Sequence, residues 1–260
     1  MKLLLLSNKL LIILLVTLTT NGLFSFSVRT ESTNDAQNQQ QKLAQNDDDK
    51  LDFSGDGRPG KRVGGGSRSF CSSTEIPLTA VVPASNVGAT VSDRPNFWFY
   101  VPYGSQQATT GEFVLQDRQE NDVYRQTFDL PQTPGLVSLK LPKTAPSLEV
   151  GRPYRWYFKL YCGDSASATA NFVEGWITRI SLVSNLATES EQGKNPTYQE
   201  YGSNSIWFDA LDNLAQLRLE KDNPRLEQDW NQLLSAKGVN LRKLTQIPLV
   251  GSVNAAPNSK

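Results

Sequence analysis

Between Glu75 and Ser181 the chain alternates short apolar runs with polar positions, and Pro, Gly, Asn and Asp separate the runs. A period of two marks a strand with one buried face, and breaks at this spacing are those of an all-β sandwich. The pattern predicts strands at IPLTAVV (76–82), NFWFYV (96–101), EFVLQD (112–117), DVYRQTFDL (122–130), LVSLKL (136–141), PYRWYFKLYC (153–162) and TANFVEGWITRI (169–180), with a shorter one at GATV (88–91). QENDV, ahead of DVYRQTFDL, reads as a hairpin turn. NFWFYV is apolar on both faces and lies between Pro95 and Pro102, which places it in the middle of a sheet.

PYRWYFKLYC carries the clearest alternation. Tyr154, Trp156, Phe158, Leu160 and Cys162 fall on one face, and Arg155, Tyr157, Lys159 and Tyr161 on the other. The first set belongs to the core. Leu148, Gly151 and Tyr154 have the spacing of a tyrosine corner, in which the phenol bonds back to the preceding backbone. Trp156 stands where an immunoglobulin domain carries its second cysteine, which disfavours a true immunoglobulin domain. The expected fold is mainly β: an immunoglobulin- or fibronectin-like antiparallel β-sandwich with a C-terminal α-helical hairpin.

After Ser181 the period lengthens. SLVSNLATESEQ suggests a short helix. In SIWFDALDNLAQLRLE, Trp207, Ala210, Leu211, Leu214 and Leu217 share one helical face. Asn223 followed by Pro224 is a helix start, Leu226, Trp230, Leu233 and Leu234 form the next apolar face, and Gly238 suits a C-terminal cap. These helices are expected to pack on the sandwich. The residues after Asn240 carry no clear pattern.

The N-terminus changes the picture of how much chain is available to fold. Lys2 and Lys9 precede an apolar run from Leu10 to Leu18, too short for a span of about 20 residues, and Ser25-Phe26-Ser27 follows. This predicts a secretory signal peptide over residues 1–27, with an uncleaved membrane anchor as its alternative. Residues 28–69 read as a disordered polar stretch that becomes a Gly-rich basic linker. The expected organisation is then a β-sandwich domain at 70–181, a helical subdomain at 182–238 and a tail at 239–260. Cys71 and Cys162 are the two cysteines of a chain expected to be exported, to the periplasm or an extracellular, envelope-associated location, and are expected to form a disulfide.

Composition then narrows the chemistry. The chain has 26 Lys+Arg, 26 Asp+Glu and no histidine, and losing residues 1–27 would remove only Lys2 and Lys9. That balance argues against a nucleic-acid partner. Without histidine, Ser-His-Asp and Cys-His catalysis and HExxH zinc hydrolysis are excluded. GDGRPGKR (55–62) spaces its glycines and Lys61 like a phosphate-binding loop, but Arg62 replaces the Ser or Thr and no strand precedes it, so no nucleotide is expected. No cofactor or metal is expected. Carboxylates at Asp117, Glu120, Asp122, Asp129 and Glu174 remain for acid/base work, with no spacing that selects a pair. The stripe Arg155, Tyr157, Lys159, Tyr161 is the candidate binding surface, since aromatic and cationic side chains together suit sugars, anionic polymers or a partner's strand. The competing and favoured expectation is that the C-terminal helices cover it, because they need an apolar surface to dock on.

GRPGKRVGGGSR before Cys71, RPNFWFYVP, LEVGRPYRWYFKLYC and IWFDALDNLAQL together resemble an exported cyanobacterial family, domain of unknown function 928, over roughly residues 58–238. The resemblance implies export to the envelope and a β-rich domain with a helical end, and it supplies no catalytic residue. The functional expectation is an exported, non-enzymatic binding or interaction module of the cell envelope, its partner an envelope protein or polysaccharide. The alternatives are a carboxylate-dependent hydrolase acting on envelope glycans and a structural component held in the membrane by an uncleaved N-terminus.

Overall fold

A computed structural model describes residues 51–65, 71–104, 106–131, 133–163, 170–191 and 193–255. The expected signal peptide and residues 28–50 and 66–70 lie outside the described residues. Among the described residues the chain is mainly β, with two sheets packed face to face and four α-helices. The strands are β1 (Thr79–Ala80), β2 (Val87–Thr90), β3 (Asn96–Val101), β4 (Ala108–Gln116), β5 (Asp122–Asp129), β6 (Gly135–Lys140), β7 (Pro153–Cys162), β8 (Asn171–Arg179), β9 (Leu249–Ser252) and β10 (Asn254–Ala255). One sheet has the order β1-β3-β6-β9 and the other β10-β5-β4-β7-β8-β2.

The expectation of a wholly antiparallel sandwich needs correction. The central pairs are antiparallel, but β2 joins β8 and β9 joins β6 in parallel, so both sheets are mixed. Parallel partners need long crossovers, and both pairs join segments far apart in the chain.

The two sheets meet through rings. Phe97 and Phe99 of the small sheet face Phe113, Trp156 and Phe158 of the large one, with centroids 5.0 Å apart for Phe97 and Phe113 and 4.0 Å for Phe99 and Phe158. All six positions of β3 are buried, and its neighbours are β1 and β6, as its two-sided apolar sequence requires. In β7 the alternation runs as expected: Tyr154, Trp156, Phe158, Leu160 and Cys162 are buried and the intervening side chains are half-exposed. The corner ahead of it also forms. The Glu149 N–H donates to the Tyr154 hydroxyl at 3.2 Å, Leu148 is buried, and Gly151 takes the positive φ of +77° that lets the chain turn. Tyr154→Phe removes that bond alone and is expected to cost about 1 kcal/mol in urea unfolding, with no change of spectrum.

Cys71 is bonded to Cys162, tying the segment before β1 to the end of β7. Such a bond suits an oxidising, non-cytoplasmic compartment. Among the described residues no helix is long and apolar enough to cross a membrane.

The helices are α1 (Ser184–Glu191), α2 (Tyr198–Ser203), α3 (Trp207–Glu220) and α4 (Pro224–Ser235). Asn223 caps α4, its side chain accepting from the Arg225 N–H at 2.9 Å with Pro224 at the first helical position. α3 buries Trp207, Ala210, Leu211 and Leu214 against β2 and β3. It can lie this close because Gly88 has no side chain: a Cβ there would stand 2.6 Å from the Phe208 ring. Indole N–H groups fix the helix, Trp207 donating to the Val81 carbonyl at 2.9 Å and Trp98 to Asp212 at 3.1 Å.

Two expectations fail at the ends of the domain. Residues 51–65 are not a free linker but a strap along the sandwich. Phe53 is 5% exposed, its ring edge-on to Trp207 at 4.8 Å, and its N–H donates to the Lys237 carbonyl at 3.0 Å. Further along, the Arg58 N–H reaches Ser85 and the Gly64 N–H reaches Leu78. Gly238, expected as a helix cap, does take a positive φ (+78°), but its bare Cα also admits the strap: a Cβ would lie 2.4 Å from the Ser54 nitrogen. The tail expected from 239 onward is equally structured. Val239, Leu241 and Leu244 are buried, and β9 and β10 add one strand to each sheet.

Candidate functional site

The outward face of the large sheet follows from strand register. Residues paired across antiparallel strands share a face, so Lys159 of β7 lies in a row with Glu112 and Phe172, Tyr157 with Val114 and Glu174, and Arg155 with Gln116 and Trp176. Arg155, Tyr157, Lys159 and Tyr161 are all half-buried on this face. α3, expected to cover them, packs instead on β2 and β3. The apolar face of the helix finds its surface across the edge where β2 of the large sheet lies beside β3 of the small one, and it buries Trp98 and Asn96.

The face is an alternation of rings and cations. The Arg155 guanidinium lies over the Tyr157 ring at 5.1 Å and the Trp176 ring at 5.6 Å, and the Lys159 ammonium over Tyr157 at 5.7 Å. The strap adds two more, Arg58 over Trp176 at 4.8 Å and Lys61 over Phe172 at 4.5 Å. The strap is held where it can do this by the Trp176 indole N–H donating to the Pro59 carbonyl at 3.0 Å and the Glu174 N–H to the Lys61 carbonyl at 2.8 Å.

Carboxylates tie part of this charge. Glu112 accepts from Lys159 at 2.9 Å and also pairs with Arg125, and Glu174 accepts from the Arg155 Nε at 2.8 Å. Burial pushes the Glu112 carboxyl up, but its bonds to Lys159 and Arg125 outweigh this and hold it below the usual range, so it stays ionised. Burial raises the Tyr157 and Tyr161 phenols, which therefore remain hydroxyl donors at neutral pH. Among the described residues no carboxylate pairs with Arg58 or Lys61. The Glu174 and Glu112 side chains are 11% and 14% exposed, so these pairs also help to hold the face together, and removing one partner would leave a half-buried charge.

Arg155, Tyr157, Lys159 and Tyr161 thus share one surface, as their spacing predicts. Phe172 and Trp176 were missed although NFVEGWITR alternates like its neighbour. Arg58 and Lys61 were read as cations of a flexible basic linker that could meet an acidic partner, not as part of this face, because nothing local marks a glycine-rich basic segment as fixed. The β-region carboxylates sit in structural roles. Asp117 accepts from the Gln119 and Asn121 N–H groups at 2.9 and 3.0 Å and so closes the β4–β5 turn, in which Glu120 has a φ of +63°. Asp122 pairs with Arg125 and Gln116, Glu174 with Arg155, and exposed Asp129 lies where β10 joins β5. Cys71 and Cys162 pair with each other rather than joining any site.

The outer face of the large sheet thus brings together aromatic rings, cations and phenol hydroxyls. A family model described as Domain of Unknown Function (DUF928) matches residues 63–249, most of the chain, and the chain belongs to that family. Strap residues 51–62 precede the match, and its end at 249 takes in the residues leading to β9 and only the first residue of that strand, Leu249. No curated protein matches the chain.

Proposed function

We propose that this member of the DUF928 family is an exported, non-enzymatic binding module of the cell envelope whose ligand is an acidic polysaccharide laid across the outer face of the large sheet. The observation that carries this reading is the alternating row of Arg58, Trp176, Arg155, Tyr157 and Lys159. A flat face suits an extended polymer, since sugar rings stack on aromatic side chains and charged groups along a chain meet cations repeatedly. The sign rests on Arg58 and Lys61, which no carboxylate among the described residues pairs with, beside Arg155 and Lys159, which Glu174 and Glu112 neutralise. The disulfide and the basic-then-apolar N-terminus support export.

The purified protein is expected to retain an acidic polysaccharide on affinity electrophoresis and to ignore a neutral one, and retention falls as salt rises because the attraction is screened beyond about 10 Å. Tyr157→Ala, at a half-exposed position, weakens retention by about tenfold, the loss of one ring contact. Equal retention of neutral and acidic polymers would remove the charge argument, and cleavage of the polymer would replace the binding module with the hydrolase reading. Export has its own check. Native protein with an intact mass beginning near Val28 supports it, whereas a mass that includes Met1 supports the membrane-anchored alternative.

A further inference from the structure

On the helix side of the small sheet, away from the face just described, a cleft of about 230 Å³ opens between α3, α2 and the β2–β3 connection. Its walls include Ser92, Asn96, Lys140, Tyr201, Asp209 and Asp212. One oxygen of Asp212 takes three donors: Asn96 Nδ2 at 2.8 Å, Trp98 Nε1 at 3.1 Å and Gln216 Nε2 at 3.2 Å. This fixes the carboxylate, and among the described residues no donor reaches its other oxygen. Asn96 is only 8% exposed, and with its amide nitrogen committed to Asp212, its Oδ1 is buried without a partner. A buried acceptor left unpaired costs about 1–3 kcal/mol, so a natural occupant of this place is one that donates.

Asp209, three residues before Asp212 on the same helix face, accepts from the Val91 N–H at 3.1 Å, and burial pushes its carboxyl above the usual range. Lys140 stands exposed at the rim, and Arg94 is already paired with Asp93. A metal ion does not fit this lining: among the described residues there is no cluster of three or more carboxylate or thiolate ligands, and one of the two carboxylates already carries three N–H groups. The free acceptors, the aromatic wall of Tyr201 and the small volume instead match a ring bearing adjacent hydroxyls.

We propose that this cleft binds a single neutral sugar ring, its neighbouring hydroxyls donating to Asp212 and Asn96 and its apolar side resting against Tyr201. The site stands independently of the sheet-face reading.

Two indole protons report the two surfaces separately, Trp98 bonded to Asp212 in the cleft and Trp176 bonded to Pro59 on the opposite face. ¹⁵N-labelled protein is titrated with glucose, galactose, mannose and N-acetylglucosamine. One of these sugars is expected to move the Trp98 indole cross-peak saturably with a Kd on the order of 1 mM, leaving the Trp176 peak in place. Asp212→Asn, which turns the free acceptor into a donor, raises that Kd at least about tenfold. Because Asp212 also holds α3 to β3, Gln216→Trp is the second variant: position 216 is exposed at the cleft mouth, and a ring there blocks entry without disturbing the core. No saturable shift with any of the sugars, a shift that survives both variants, or a Trp98 peak that answers only to calcium or ammonium would each overturn the assignment.

Discussion

Replacing Cys71 and Cys162 together by serine is expected to lower the unfolding free energy by about 4 kcal/mol. The two cysteines are 91 residues apart, and cross-linking a loop of that length removes enough freedom from the unfolded chain to stabilise the fold by about 4–5 kcal/mol before any native strain. For a domain of this size each kcal/mol moves the melting temperature by about 2–4 °C, so the midpoint should fall by about 10 °C. Urea unfolding of the oxidised protein and the double variant checks the value. A difference below about 1 kcal/mol would mean that the unfolded chain is already compact around these two sites. A fall of the expected size leaves β7 in place, because Cys162 is only the last of its inward residues and the ring contacts of Trp156 and Phe158 do not depend on the bond.

Phe53→Ala should cost nearly as much, about 3–4 kcal/mol, the usual range for deleting a buried aromatic side chain. The residue is buried against Trp207, and its loss empties a place that the backbone of Gly238 cannot fill. The informative comparison is between two truncations. A chain starting at Leu51 should unfold like the longer protein, whereas one starting at Asp56 should show the full cost of Phe53→Ala. Equal stabilities for the two would mean that the strap rests on the sandwich without contributing to it. The chain starting at Asp56 keeps Arg58 and Lys61 and the bonds that seat them, from Trp176 to Pro59 and from Glu174 to Lys61. Its affinity for an acidic polymer should therefore match that of the longer chain, which separates the stabilising role of Phe53 from the binding face.

The strands of the sandwich were legible because each carries its own signal. β7 alternates over its whole length, β3 is apolar throughout, and the tyrosine corner is a local spacing whose bond the structure confirms. The features that were not legible depend on residues far apart in the chain. Phe53 has only Leu51 as an apolar neighbour in a stretch of Asp, Lys, Ser and Gly, and no periodicity window registers so short an anchor. LVGS is too short to announce β9, and its parallel place beside β6 is set by the space left at that edge. For α3, the face of Trp207, Ala210, Leu211 and Leu214 told that something would be covered, but not what. It was read toward the Tyr157 stripe and lies on β2 and β3, where Gly88 gives room and the Trp98 indole finds a carboxylate. That carboxylate was passed over for the same reason: Asp209 and Asp212 sit on the polar side of an amphipathic pattern, where acidic residues are ordinarily solvated, and only the register of α3 against β3 brings Asn96 and Trp98 to them.

The two edge strands added at the C-terminal end have a consequence for how the molecule comes together. β9 and β10 are separated by Val253 alone, yet they belong to different sheets, so one short segment near residue 253 closes an edge of each. At the other end, Phe53 and its neighbours bind Trp207 and Lys237, which come late in the chain. For a polypeptide made from its N-terminus at about 5–20 residues per second, neither sheet can be finished, nor the strap seated, until the last strands exist. A partly emerged chain therefore holds hairpins such as β4–β5 but no completed sandwich. Such a chain stays loose until its last strands are made, and locks only then.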